Sequence, residues 1–183
     1  MSYQEFSLVG HLAYSNGLTA GTGGNLSVYR DERVIVTRAG AFLGGLIEAD
    51  LVEVTLDGAM LTEKGKPSSE LKLHLAIYNG TPYRAVFHSH APNAIAISGG
   101  VDRFVPPTKE GAKMLGEIEV LPQTYENVSD VGAVVRALEN TPAAILKDHG
   151  IVTVAGDLFE AFILAESLEQ DCMIEVLRRS MKG

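Results

Sequence analysis

The 183 residues hold one cysteine, Cys172, so no internal disulfide can form. A reducing compartment is the simpler reading of that usage. Basic charge is also short: 15 Lys and Arg stand against 23 Asp and Glu, for a net charge of −8. A chain that grips a nucleic-acid backbone wants a basic face, so this balance argues against nucleic acid as partner while leaving room for one local anion pocket. Apolar runs fall well short of the roughly 20 residues that span a membrane. Met1 to Gly10 carries Glu5 and no basic flank before an apolar run, and does not read as a signal peptide. No repeat, low-complexity tract or linker divides the sequence. What is present is 46% hydrophobic and 21% charged, the composition of a soluble globular domain with one sizeable core. The expectation is a single domain over residues 1–183, in the cytoplasm.

Helical and strand periods alternate along the chain, which predicts an α/β domain. A helix is expected over 3–16, stopped by Gly17. A glycine-rich loop, Thr19 to Gly24, leads into strands near 25–30 and 33–37, joined by Asp31-Glu32. Another strand is expected at 51–56. Pro67-Ser68-Ser69-Glu70 reads as the opening of a helix to about Ile77. Ala85 to His90 reads as a strand, Pro92 to Ser98 as a short helix, and 117–121 as a strand. A helix at Val128–Leu138 has Ser129 or Asp130 as its cap. Strands at 143–147 and 151–154 flank Asp148-His149-Gly150, and a long helix covers about 157–179.

The candidate chemistry starts with His88 and His90. At i and i+2 on a strand their side chains share one face, so two imidazoles can converge on one ion. The alternative for such a pair is one core hydrogen bond and one surface residue. His149 interrupts two apolar strands, where an unpartnered buried imidazole costs about 1–3 kcal/mol. Three neutral imidazoles with an open position form a catalytic zinc arrangement able to polarise a carbonyl oxygen. Glu70 is either helix-start chemistry or a general base beside that metal. His74, one turn on, is a fourth ligand, a partner of Glu70, or a locally hydrogen-bonded residue. Gly21 to Ser27 is rich in exposed backbone N–H groups, and Ser68 and Ser69 stand at an expected helix N-terminus. Both suit a phosphate, although Ser68 could be only a cap.

Taken together, Gly21-Thr22-Gly23-Gly24-Asn25-Leu26-Ser27, Lys66-Pro67-Ser68-Ser69-Glu70, His88-Ser89-His90 and Lys147-Asp148-His149-Gly150 resemble the class II aldolase/adducin family in order and spacing. The likeness covers about residues 4–178 and is nearest to short L-fuculose-1-phosphate aldolases. It implies an α/β/α sandwich around a mixed, largely antiparallel sheet, and a homotetramer with active sites between subunits. It implies Zn2+ on His88, His90 and His149, with Glu70 as acid/base. It also implies a phosphate cradle of Gly24, Asn25, Gly40, Ser68 and Ser69. The implied reaction is cleavage or formation of a phosphorylated ketose through a dihydroxyacetone phosphate enediolate. Decarboxylation, dehydration or epimerisation of a sugar phosphate is the second reading, and a non-catalytic adducin-like interaction module the third.

Three positions depart from the family pattern. Ala39 precedes Gly40 where Ser or Thr is usual, and Arg38 could replace the lost donor. Pro106-Pro107-Thr108-Lys109-Glu110-Gly111 has no tyrosine where some family aldolases bring one to a neighbouring subunit's site. Thr108, Lys109, Glu110 or a bound water is then left as proton donor. The sequence also stops at Gly183 without the second tyrosine of a C-terminal tail.

Overall fold

The computed structural model describes residues 3–62, 65–124, 128 and 130–181. Helix α1 (Tyr3–Ser15) buries Phe6, Val9, Gly10 and Ala13 along one stripe, and Gly17 ends it at a positive φ of 74°. Strands β1 (Asn25–Arg30) and β2 (Arg33–Thr37) form a hairpin with Arg30 opposite Arg33. Its two turn residues, Asp31 and Glu32, both have positive φ (50° and 60°), as a two-residue hairpin turn requires. Strand β3 (Leu51–Val54), helix α2 (Leu71–Gly80) and strand β4 (Ala85–Ser89) follow. Then come α3 (Pro92–Ser98), β5 (Arg103–Phe104), α4 (Lys109–Leu115) and β6 (Ile118–Leu121). The last elements are α5 (Val131–Leu138), β7 (Ala143–Leu146), β8 (Gly150–Ala155) and α6 (Leu158–Ser180).

Among the described residues, eight strands make one sheet in the order β3-β2-β1-β4-β8-β7-β6-β5. Only the β6–β7 pairing is parallel, so the sheet is mixed and largely antiparallel, as expected. Side chains alternate across it. Leu26, Val28, Phe87 and Ile151 enter a core shared with α1, α3, α4 and α6. Val34, Val36, Val86, Val152 and Val154 enter a second core under α2 and α5. The result is the expected α/β/α sandwich, its sheet buried on both faces. No helix among the described residues is long and apolar enough to cross a membrane.

Two helix starts and two added elements differ from the sequence-based expectation. Helix α2 starts at Leu71 rather than at Pro67–Glu70. The preceding residues are drawn alongside the end of β2: Ser68 N–H donates to the Thr37 carbonyl (3.0 Å) and Ala39 N–H to that of Lys66 (2.9 Å). Extended pairing there delays the helix, and Glu70 becomes its N-cap residue. Helix α5 begins at Val131, with the Asp130 carboxylate accepting the Ala133 N–H at 2.9 Å; Ser129, the other expected cap, lies outside the described residues. Strand β5 and helix α4 were not expected. Helix α4 is short and has few apolar residues, and its N-terminus is held from a distance: Asp171 of α6 accepts the Thr108 N–H at 3.2 Å. In the same way Glu169 of α6 accepts the N–H groups of Asn93 and Ala94 (2.8 and 3.0 Å) at the start of α3.

The β7–β8 turn is pressed against the end of β4. A Cβ on Gly150 would lie 2.2 Å from the Ser89 carbonyl oxygen, so only glycine fits without moving backbone. Gly150→Ala should therefore destabilise the protein by about 1–3 kcal/mol, the usual range for overpacking. Chemical denaturation checks this, and an unchanged midpoint would show that the turn can yield.

Candidate active site

The period-2 alternation that builds the sheet also builds the site. Asn25 pairs with His88 across β1 and β4, and His88 with Val152 across β4 and β8. Asn25 and His88 thus lie side by side on the α2 face, and His90 extends the same face past the strand end. His149 arrives on the β7–β8 turn, where Asp148 adopts a left-handed φ of 55°. That turn is fixed by the Asp148 N–H donating to Ser98 Oγ at 2.9 Å and the His149 N–H to the Leu146 carbonyl at 3.0 Å. The three imidazoles form a near-equilateral triangle, with ring centroids 5.0–5.2 Å apart. Nitrogens from all three lie within 4.8 Å of one another. The loop before β1 closes one side. A Cβ on Gly23 would meet His90 Nδ1 at 2.9 Å, and one on Gly24 the His88 carbonyl at 2.7 Å. Both glycines are there because the backbone runs against the histidines.

Glu70 reaches in from the start of α2 and is 7% exposed. One carboxylate oxygen is 3.1 Å from His88 Nε2, and the other is 3.6 Å from His149 Nε2. His88 Nδ1 lies 2.9 Å from the Ile151 carbonyl. A carbonyl only accepts, so Nδ1 carries the hydrogen and the neutral ring turns the Nε2 lone pair toward the carboxylate. Burial drives the His88 imidazole down to about 4, against the pull of Glu70, so near neutrality no second proton separates the two groups. Glu70 Oε1, His88 Nε2 and His149 Nδ1 are buried without hydrogen-bond partners. Lone pairs of imidazole and carboxylate facing each other in a buried site are repulsive unless a cation joins them. These residues therefore fit a divalent metal of the kind that imidazole ligands suit.

The remaining protonation states agree. For Glu70, burial is the largest influence and pushes the carboxyl up. His88, the Asn25 N–H, His149 and His74 together outweigh it, leaving the group below the ordinary carboxylate range. Burial, then neighbouring His149, also holds His90 below its usual value.

A cavity of about 150 Å³ opens from the histidines toward Arg38, Gly40 and Ser69. It brings together every residue expected for the phosphate cradle, though not in equivalent ways. Gly24 and Gly40 are in left-handed turns (φ 79° and 70°), and Ser69 is exposed. Ser68 is buried, its hydroxyl accepting the Glu70 N–H at 3.2 Å. Arg38 lines the cavity beside Ala39, where the family's hydroxyl is missing. Its Nε is held 2.6 Å from Asp50 Oδ1. Asn25 is mostly committed: its Nδ2 donates to Glu70 at 2.7 Å and its Oδ1 meets His74 Nε2. His74 lies outside the metal cluster, wholly buried, and hydrogen-bonds Asn25 and Ser27. Of its three possible roles, local hydrogen bonding is the one observed. Ser98 and the Ile151 carbonyl, which aim His149 and His88, carried no recognisable sequence signal. Ser27 and Tyr78 did have one, in the i+2 spacing from Asn25 on a strand and the i+4 spacing from His74 on a helix.

An α/β/α sandwich that gathers three imidazoles and a carboxylate beside glycine turns is the architecture of a class II aldolase. Residues 4–176 match the class II aldolase and adducin N-terminal domain, and the chain belongs to that family. An L-fuculose phosphate aldolase of Methanococcus vannielii is 36% identical over 175 residues, 93% of each chain. A 3-oxo-tetronate 4-phosphate decarboxylase of Haemophilus influenzae is 32% identical over 174 residues, 88% of this chain and 80% of its own. The crystal structure of L-fuculose-1-phosphate aldolase from Thermus thermophilus superposes with a TM-score of 0.91 at 31% identity, over 99% of this chain and 95% of that one.

His74 gives the site a measurable acid response. Burial holds its imidazole down to about 3 from an ordinary 6.5. Above pH 6.5 both the folded and unfolded states are neutral there. Below it only the unfolded chain takes the proton, so stability is lost as pH falls from about 6.5 toward 3. Metal-free protein unfolded at pH 5 should take up protons, and His74→Gln should reduce that uptake by about one per chain. Unchanged uptake would mean that His74 is protonated when folded.

Proposed function

We propose that this chain is a zinc-dependent aldolase that cleaves or forms a phosphorylated ketose, such as L-fuculose 1-phosphate, with dihydroxyacetone phosphate as one product. The observation that carries the reading is the Glu70 carboxylate facing the His88 lone pair at 3.1 Å, at the end of a cavity floored by glycine turns, Ser69 and Arg38. His88, His90 and His149 would hold the ion, which when bound supplies a Lewis acid that polarises the substrate carbonyl. Glu70 is the base. In condensation it takes a proton from the carbon beside that carbonyl, and in cleavage it returns one. The Gly24 and Gly40 turns, Ser68, Ser69 and Arg38 bind the phosphate, and Asn25 adds its second amide hydrogen. Remote binding of this kind orients the reacting carbon against Glu70.

The proton donor for the aldehyde end is a separate matter. Thr108 caps α4, its hydroxyl accepting the Gly111 N–H at 3.0 Å, and Lys109 and Glu110 are exposed. In the proposed homotetramer this stretch serves a neighbouring subunit's site. The reading takes residues 1–183 as one cytoplasmic domain, with a small phosphorylated sugar as partner and neither nucleic acid nor membrane. The lack of a tyrosine in Pro106–Gly111, with the likeness to a decarboxylase, favours a sugar-phosphate decarboxylase, dehydratase or epimerase as the second reading. An adducin-like interaction module would have no use for Glu70 and three histidines poised around one point.

Purified protein should carry about one zinc per chain, and His149→Ala should lose most of it by elemental analysis. Full retention would remove His149 from the site. Glu70→Gln should keep the fold and lower turnover by about 10²-fold or more, the usual scale of acid–base catalysis. Near-normal turnover would return Glu70 to a helix-start role.

A further inference from the structure

Behind Glu70 a line of polar side chains runs away from the cavity into the layer between the sheet and α2. Asn25 Nδ2 donates to Glu70 Oε2 at 2.7 Å. Asn25 Oδ1 meets His74 Nε2 at 2.5 Å, and His74 Nδ1 meets Ser27 Oγ at 2.5 Å. Ser27 Oγ then meets the Tyr78 hydroxyl at 2.6 Å. None of these four residues is more than 7% exposed. Two simple periods assemble them: Asn25 and Ser27 share one face of β1, and His74 and Tyr78 are one turn apart on α2.

The line has only one consistent donor sense. An ionised carboxylate can only accept, so Asn25 must present its N–H to Glu70 and its oxygen to His74. His74 must then carry its hydrogen on Nε2, which leaves Nδ1 as a lone pair. Ser27 must donate to that lone pair, and Tyr78 must donate to Ser27. Each bond polarises the next in a buried setting. With the other His74 tautomer, the Asn25 amide would turn over and set its oxygen against the Glu70 carboxylate.

We propose that Tyr78, Ser27 and His74 are positioning residues for the reaction: they fix the Asn25 amide so that its N–H holds the Glu70 carboxylate in the lie needed for proton transfer. This rests on the reading of Glu70 as the base. It also gives Asn25 a task beyond phosphate. Valine, leucine and phenylalanine would fill the same layer without needing partners, so packing alone does not call for these four groups.

Two measurements test it. In metal-free protein, 15N shifts of the His74 ring should show hydrogen on Nε2 and a bare Nδ1, and Ser27→Ala should shift the population toward the other tautomer. Hydrogen on Nδ1 in the unchanged protein would overturn the chain. In the metal-replete enzyme, Ser27→Ala should lower kcat about tenfold, the loss expected for one misplaced buried bond, with a smaller rise in KM for dihydroxyacetone phosphate because Asn25 also faces the phosphate cavity. Tyr78→Phe, a milder change at the far end, should act in the same direction with a smaller fall. Neither variant should slow Glu70→Gln further, because their effect passes through the carboxylate. An equal loss in both backgrounds, or a loss seen only in KM, would make these residues structural and refute the proposal. Absence of any carbon–carbon turnover in the unchanged enzyme would instead defeat the aldolase reading, and the tautomer measurement would still decide the chain.

Discussion

The hydrogen bond from His88 Nδ1 to the Ile151 carbonyl is the constraint on which the site depends. It fixes one tautomer on a buried ring, and that tautomer directs a lone pair at the Glu70 carboxylate 3.1 Å away. His88 is wholly buried and Glu70 only 7% exposed, so little solvent screens the two groups. Left alone, the pair costs free energy, because two acceptors face each other in a low-dielectric space. A cation converts the same geometry into an attractive one. A cation bound there would relieve a repulsion built into the folded chain, which the strand pairing of β4 with β8 maintains.

The sandwich around that contact is arranged to hold it in place. The sheet is largely apolar on both faces, and the polar cluster gathers at the ends of β1, β4 and β8, with Ser27, His74 and Tyr78 continuing it into the α2 layer. Ser98 and the Gly150 contact fix the turn that carries His149. The Thr37–Ser68 pairing delays α2 until Glu70 stands at its N-cap position, leaving that carboxylate free of a capping bond and at the mouth of the histidine triangle. The long α6 contributes from the far layer: Glu169 and Asp171 tie down the N-termini of α3 and α4, the two helices that follow β4. Stability and chemistry share these contacts, and the cost of the buried polar groups is offset by two continuous apolar cores.

Much of this was legible in the sequence because it follows from short periods. His88 and His90 at i and i+2 had to share a sheet face, and a hairpin between 143–147 and 151–154 had to bring His149 to a strand end. The layered fold followed from alternating helical and strand patterns together with the family resemblance. What was not legible depends on long-range pairing. Nothing in Pro67-Ser68-Ser69-Glu70 shows that it lies beside β2, so an opening helix was the local reading and Glu70 was set a turn too deep. Helix α4 is short, with its N-terminus held by Asp171, 63 residues from Thr108 in sequence. The bonds that Asn25 makes to Glu70 and His74 were not legible because those partners are 45 and 49 residues away. Hydrogen-bond direction within the buried line is a property of the assembled fold.

In the proposed function this buried lone-pair and carboxylate contact is a metal centre for carbon–carbon bond chemistry. The most direct measurement is to incubate metal-replete protein with L-fuculose 1-phosphate and follow both products by mass spectrometry. Dihydroxyacetone phosphate and an aldehyde are expected in equal amounts, lost on chelation and restored by zinc. Formation of neither product, or the same yield with and without the chelator, would contradict the proposed function.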